Sequence, residues 1–114
     1  MSHDCLFCKI VAGQIPSTKV YEDEHVLAFH DIHPIAPVHI LVIPKKHLAS
    51  VNDLSSEDTT MLGHAFAAIQ QIARQTGIAD SGYRVATNTG KESGQVVFHL
   101  HFHVIGGRKL GPLA

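Results

Sequence analysis

The sequence contains no tryptophan, only two cysteines and no long apolar run, although its apolar fraction of 45% is ordinary for a globular protein. With Cys5 and Cys8 as the whole cysteine complement, a framework of structural disulfides is not expected. Apolar runs such as Ile40–Ile43 are far too short to cross a bilayer, and the first residues do not resemble a signal peptide. We therefore expect a cytoplasmic protein that does not associate with a membrane.

The sequence also lacks an excess of charge of either sign. Nine basic and ten acidic residues give a formal net charge of −1, so the basic surface typical of nucleic-acid binding is not expected. Ten histidines are instead abundant and make the charge sensitive to mildly acidic pH. A chain of 114 residues suits one core, and we expect a single domain over residues 1–114.

Three of these histidines alternate with bulky apolar residues in the segment Phe98–Ile105. Successive side chains of a β-strand point to opposite faces, so a strand here places His99, His101 and His103 on one face. The opposite face then faces the core with Phe98, Leu100, Phe102 and Val104. Gly106-Gly107 ends the predicted strand.

The spacing of the histidine row limits its chemistry. The outer histidines of a strand, His99 and His103, would stand about 13 Å apart, too far to share one metal ion. A neighbouring pair, His101 with either His103 or His99, could still bind a catalytic metal. Alternatively, one neutral imidazole could act as a nucleophile if an acceptor holds its second nitrogen. Both possibilities remain open from the residues alone.

The remaining segments predict an α+β domain with an antiparallel sheet of about five strands, one short helix and one long helix. Two prolines make residues 31–37 a loop, and residues 88–95 form a second, glycine-bearing loop. We expect the apolar stripe of the long helix to pack in the core; it comprises Leu62, Ala65, Phe66, Ile69, Ile72 and Ala73. The predicted helices are Cys5–Ala12 and Ser56–Thr76, and the other strands are Thr18–Tyr21, His25–His30, His39–Ile43 and Gly82–Thr87.

The sequence as a whole resembles the Hint branch of the histidine triad superfamily. The resemblance rests on the triad row and on four further stretches: Tyr21–Asp23, Ala28–Ile32, His39–His47 and Gly94–Phe98. The tail Gly106–Pro112 is similar to that of bacterial members. The resemblance implies the HIT-like fold and hydrolysis of the P–N bond in purine nucleoside 5′-phosphoramidates, typically adenosine phosphoramidates, without a catalytic metal.

The resemblance also implies a role for individual residues. It makes His101 the nucleophile that forms a nucleotidyl-histidine, with His103 and His39 supporting the transfer at the phosphate. Asp31 would accept hydrogen bonds from the ribose, and Asn88 would lie beside the phosphate. Apolar walls around the purine would come from Leu6, Phe7, Ile10, Phe29 and Ile32. Backbone N–H groups of Gly94, Gln95 and Val96 could form an anion-binding nest.

The same resemblance implies a homodimer joined through the long helix and a strand of each sheet. Part of the apolar face of that helix, such as Met61 or Ala68, would then face the partner. One residue departs from the family pattern, because some relatives carry a serine where this chain has Val96. Two other functions stay open: hydrolysis of dinucleoside polyphosphates, and a nucleotide-binding or interaction module with incidental turnover.

The cysteine pair also permits two interpretations. Cys5 and Cys8 form a C-x2-C, half of a common tetrahedral zinc site, and His47 and His99 are candidates for the missing ligands. Related histidine triad proteins with such a pair use histidines at those two positions. Alternatively, the cysteines are small apolar residues buried on one face of a short helix. A four-ligand site would be structural.

Overall fold

The computed structural model describes residues 4–113, and residues 1–3 and 114 lie outside the described part. Single turns of 3-10 helix occur at Val51–Asp53, Ser56–Asp58 and Lys91–Ser93. The longer elements are, in chain order, α1 (Leu6–Val11), β1 (Lys19–Glu22), β2 (Val26–His30), β3 (Val38–Pro44), α2 (Thr59–Gln75), β4 (Tyr83–Ala86) and β5 (Phe102–Gly106).

The five strands form one antiparallel sheet in the order β1-β2-β3-β5-β4, which confirms the predicted α+β class. Helix α2 packs on one face of the sheet, against a cluster that includes Ile40, Val42 and Val104. The short helix α1 packs on the other face, where Phe7 and Ile10 meet Leu27, Phe29, Leu41 and Ile43. The central strands are therefore covered on both faces.

Helix α2 buries a different set of side chains from the one predicted. Phe66 is 48% exposed, although its ring centroid lies 5.5 Å from that of buried Phe102, so its assignment to the core was wrong. Met61 and Ala68 are buried in the chain's own core, which excludes them as surface for a partner. The apolar stripe of this helix lies slightly to one side of the predicted one, and Phe66 falls at its margin.

Before α2, the chain forms a capping box. The carboxylate of Asp58 accepts a hydrogen bond from the backbone N–H of Ser55 at 2.9 Å, and the Ser55 hydroxyl accepts in return from the first turn. Lys46 donates to the same carboxylate at 2.9 Å. This bond ties the start of the helix to the segment that follows β3.

The histidine strand is shorter than predicted. Strand β5 begins at Phe102, so His99 and His101 precede it, and Phe98 is 53% exposed rather than in the core. Pairing with β3 ends at Val42 opposite Phe102. Further on, Pro44 has no N–H to donate, and its carbonyl oxygen accepts from the His99 ring at 2.8 Å. The Pro44 carbonyl therefore holds the His99 ring beyond the point where the pairing of β3 with β5 ends.

Within residues 4–113, no helix is both long and apolar enough to cross a membrane. The cytoplasmic location and the single-domain organisation stay predictions.

Candidate active site

A cavity of about 820 Å³ opens on the α1 face of the sheet. Its lining brings together almost every residue that the sequence assigned to the substrate or the reaction. These are Leu6, Phe7, Ile10, Phe29, Asp31, Ile32, Asn88, Gly94, Gln95, Val96, His101 and His103. Ile32 and Val96 are each 85% exposed at its edge, whereas His39 is buried beside His103.

The orientation of His101 follows from its backbone surroundings. Its Nδ1 lies 2.7 Å from the carbonyl oxygen of His99, which can only accept, so Nδ1 carries the proton. The carbonyl of His101 accepts from the Thr87 hydroxyl at 2.7 Å. The Phe7 ring packs edge-on against the imidazole, with 5.2 Å between the ring centroids. In the neutral ring, the lone pair is therefore on Nε2.

His39 and His103 form a second oriented pair. The backbone N–H of Ile35 donates to His39 Nδ1 at 3.2 Å, so the proton of neutral His39 is on Nε2. That Nε2–H donates to His103 Nδ1 at 2.9 Å, which leaves the other nitrogen of His103, Nε2, protonated as a donor. The pair lies diagonally across the ladder, because Leu41 is the residue directly opposite His103.

Asp31 lies beside this pair, immediately after β2. One carboxylate oxygen, Oδ1, accepts from the backbone N–H of His33 at 2.8 Å, and Oδ2 lies 3.4 Å from His39 Nε2. The three side chains Asp31, His39 and His103 are close enough to suggest a metal site. The hydrogen bond from Ile35 opposes that use, because it keeps the proton on the His39 nitrogen that would have to ligate the ion.

The loop before the triad is held by Gln95, whose side chain is 7% exposed. Its amide oxygen accepts from Gly90 N at 2.8 Å, and its amide nitrogen donates to the carbonyls of Ala49 and Val97 at 2.8 and 3.0 Å. Two N–H groups of the expected anion nest, those of Gly94 and Gln95, donate within the loop to Lys91 and Gly90. The prediction of an anion-binding nest formed by all three residues was therefore wrong.

On the other side of His101, four side chains converge. Cys5 Sγ and Cys8 Sγ lie 3.2 and 3.6 Å from His99 Nδ1, and His47 Nδ1 lies 3.2 Å from it. His99 Nε2 donates to the Pro44 carbonyl, so its Nδ1 presents a lone pair to the cluster. Cys5 also caps the start of α1, because its thiol accepts from the Cys8 N–H.

The donor spacing of this cluster fits zinc. Bonds of about 2.3 Å to sulfur and about 2.0 Å to nitrogen place tetrahedral donors roughly 3.3 to 3.8 Å apart. The four observed separations to His99 and between Cys8 and His47 run from 3.2 to 3.6 Å. Burial and the neighbouring Cys5 thiol raise the pKa of Cys8 to about 11. A bound cation would lower this pKa again, because it stabilises the thiolate.

The sequence comparisons decide the family. Residues 12–110 match the HIT domain family.

The chain belongs to the HIT family.

Named relatives of this HIT protein include the purine nucleoside phosphoramidase of Escherichia coli K12, 47% identical over 113 residues that cover 99% of this chain and 95% of that one. An uncharacterized HIT-like protein of Synechococcus elongatus is 48% identical and covers 96% of each chain. Both relatives match this chain over nearly its whole length, in agreement with the family assignment.

Solved structures agree with this assignment. A HIT family hydrolase from Clostridium thermocellum superposes with a TM-score of 0.95 at 46% identity, covering 99% of this chain and 98% of that one. A HIT family hydrolase from Legionella pneumophila has a TM-score of 0.92 at 44% identity, with 95% and 96% covered. These structures confirm the expected HIT-like fold.

Burial sets the protonation of the histidines in this HIT site. Burial first, then the positive charges that His101 and His39 would carry, lowers the pKa of His103 to about 4. Burial also lowers the pKa of His39, against a smaller opposing effect of Asp31. Both imidazoles are therefore neutral near pH 7, as the hydrogen-bond pattern requires.

Sequence reasoning missed part of the cavity wall. The additional lining residues are Ile15, Pro16, Ser17, Thr18, His30, His33, Leu41 and Val97. Leu41 could have been found, because it lies two residues after His39 and so shares its face of β3. The residues before β1 carry no signal that would place them beside α1.

Proposed function

We propose that this HIT protein hydrolyses the P–N bond of purine nucleoside 5′-phosphoramidates through a nucleotidyl intermediate on His101. The observation that carries the proposal is the His101 imidazole, whose Nδ1–H donates to the His99 carbonyl at 2.7 Å and whose Nε2 is free to attack. The phosphoramidase name of a relative 47% identical over nearly the whole chain supports the choice of substrate.

The reaction divides one displacement into two. His101 Nε2 attacks the α-phosphorus, a P–N bond forms to the imidazole, and the bond to the leaving nitrogen breaks. The departing nitrogen takes one proton from a water molecule and leaves as the amine. The remaining hydroxide then attacks the phosphorus, breaks the bond to His101 and yields the nucleoside monophosphate. One water is consumed overall, and His101 returns to its starting state.

The neighbouring groups would stabilise the phosphate. His103 is held with a proton on Nε2, so it can donate a hydrogen bond to a phosphate oxygen without changing its charge. The Val96 N–H remains as a second donor, since it makes no hydrogen bond within residues 4–113. His39 contributes by orienting His103.

The nucleoside would occupy the rest of the cavity. Asp31 lies at its wall with one oxygen fixed by the His33 N–H, and we expect it to accept from the ribose hydroxyls. The purine would lie against the apolar surface of Ile10 and Phe29. Asn88 would lie on the phosphate side.

A panel of substrates tests the proposal. Purified protein is assayed on an adenosine phosphoramidate, a guanosine phosphoramidate and a diadenosine polyphosphate, with and without exhaustive chelation. We expect turnover of the phosphoramidates that survives chelation. Preference for the diadenosine compound would favour polyphosphate hydrolysis, loss on chelation would favour a catalytic metal, and no turnover of any of them would favour a binding module.

We also propose that Cys5, Cys8, His47 and His99 hold a structural zinc. Four protein ligands would close the site, so the ion would connect α1 to the segments that follow β3 and precede β5 rather than react with substrate. The zinc site would adjoin His101, because the carbonyl of the proposed ligand residue His99 accepts from the His101 ring.

We further propose a homodimer, with the exposed margin of α2 and the edge strand β4 as the interface. Phe66 is 48% exposed and Val85 is 38% exposed, and β4, which pairs with β5 on one side, lies at an edge of the sheet. Light scattering at micromolar concentration should give the mass of two chains, and Phe66→Asp should shift it toward one. A monomer mass for the unchanged protein would contradict the proposal.

A further inference from the structure

The tail after β5 makes a specific contact with the loop that precedes β3. Arg108 Nη2 donates to the carbonyl oxygen of Ile35 at 2.8 Å, and Nη1 donates to the carbonyl of Lys109 at 2.9 Å. We propose that Arg108 is a positioning residue that fixes the tautomers of His39 and His103 by holding Ile35. Its effect on turnover rests on the proposed function, whereas its effect on the imidazoles does not.

The backbone is built to make this contact. Gly107 has φ +93°, a conformation that side chains disfavour, and a Cβ there would lie 2.9 Å from the Pro37 Cβ. Glycine therefore lets the tail turn closely over Pro37 and places Arg108 beside Ile35. A larger residue at position 107 would push the tail away from the loop.

The loop has little else to hold it. Pro34 and Pro37 have no N–H groups, and within the loop segment 34–37 the backbone hydrogen bonds recorded in the structure are both made by Ile35. Its carbonyl accepts from Arg108, and its N–H donates to His39 Nδ1 at 3.2 Å. The Arg108 bond limits how far Ile35 can move as a whole, and this keeps its N–H, attached to the same α-carbon, close to His39 Nδ1.

That N–H determines which nitrogens of two imidazoles carry protons. As long as it points at His39 Nδ1, the proton of neutral His39 stays on Nε2 and is donated to His103 Nδ1. His103 is thereby kept as an Nε2–H donor. If Ile35 turns away, His39 can carry its proton on Nδ1, and the proton of His103 can then move from Nε2 to Nδ1.

The first experiment reads the tautomers directly and needs no substrate. Protein with ¹⁵N-labelled histidine is compared by NMR at about pH 8, where the imidazoles are neutral, for wild type, Arg108→Met, Arg108→Lys and Lys109→Met. We expect Arg108→Met to shift the Nδ1 and Nε2 resonances of both His39 and His103 toward a mixture of tautomers. Arg108→Lys keeps one donor and should restore part of the difference. Lys109→Met removes a neighbouring ammonium group that makes no hydrogen bond within residues 4–113, keeps the backbone carbonyl that accepts from Arg108, and should match wild type.

The second experiment measures turnover of an adenosine phosphoramidate by the same variants. We expect kcat of Arg108→Met to fall about fivefold or more, since a hydrogen bond to a charged group is lost, with KM changed less. Unchanged imidazole resonances in Arg108→Met, or equal changes in Lys109→Met, would overturn the inference. If wild type does not hydrolyse the substrate while the resonances still shift, the proposed function fails and the positioning role stands.

Discussion

The His101 imidazole donates its Nδ1–H to the carbonyl oxygen of His99, two residues earlier, at 2.7 Å. This bond joins the two halves of the site. The His99 ring faces Cys5, Cys8 and His47, whereas its carbonyl sets the tautomer of the proposed nucleophile. The predicted metal site and the predicted reaction are therefore connected through one residue.

Removing a zinc ligand should cost stability more than catalysis. Protein purified without chelator should contain close to one zinc per chain, and Cys5→Ser should lose it and unfold at a lower temperature. Metal analysis and thermal melts check this, with turnover per folded molecule as the control. Protein without zinc whose thiols are both freely alkylated in the native state would contradict the site.

Phe7 should contribute strongly to stability, because its ring is 4% exposed and packs edge-on against Phe29, His99 and His101. Phe7→Ala should lower the free energy of unfolding by about 3–5 kcal/mol, as truncation of a buried aromatic ring does. Urea denaturation measures the change. Leu6→Ala is the matched control, because Leu6 is 43% exposed and its truncation should lower the free energy of unfolding far less. Equal losses for the two variants would show that Phe7 is not packed as described.

Stability should fall in mildly acidic solution. The pKa of His103 is about 4 in the folded protein and 6.5 for a free imidazole, and that of His39 is also lowered. Between these values the unfolded chain binds more protons than the folded one, so the free energy of unfolding decreases as the pH falls from 6.5 toward about 4.

Urea denaturation at several pH values in this window tests the sign. His103→Asn should flatten the dependence, because it removes the most strongly shifted imidazole. Stability that is constant or rises on acidification would show that these histidines are not buried in the neutral form.

The three histidines of the reaction should differ in how much turnover depends on them. His101→Ala should lose nearly all turnover yet still bind a nucleoside monophosphate, because the proposed ribose and base contacts lie elsewhere in the cavity. His39→Ala and His103→Ala should bind and turn over more slowly. Single-turnover kinetics and calorimetry check this order, and a His101→Ala protein near the wild-type rate would exclude covalent catalysis there.

Local patterns predicted the elements better than their junctions. Alternating apolar residues identified the strands, and the strand pattern was right for His103, but His99 and His101 lie before β5. Their positions depend on the Pro44 carbonyl, which accepts from the His99 ring, and on the Thr87 hydroxyl, which donates to the His101 carbonyl. Both partners are distant in sequence. Periodicity within one segment carries no information about such contacts.

The candidate site was predictable where a motif contained the residue. The histidine row predicted the residues of the reaction, and the cysteine pair pointed to those of the metal site. The structure assembles each of the two groups. The nest at Gly94 and Gln95 failed because the loop uses those N–H groups itself. The contact of Arg108 with Ile35 joins residues 73 positions apart, and no pattern in either segment indicates it.

The most direct test of the central claim is a rapid-quench experiment with an adenosine phosphoramidate, followed by mass mapping of the peptides. The proposed mechanism predicts a transient adenylate on the peptide containing residues 98–104, located at His101 and absent from His101→Ala. Turnover that proceeds with no adduct, or with the adduct on another residue, would contradict the covalent role of His101.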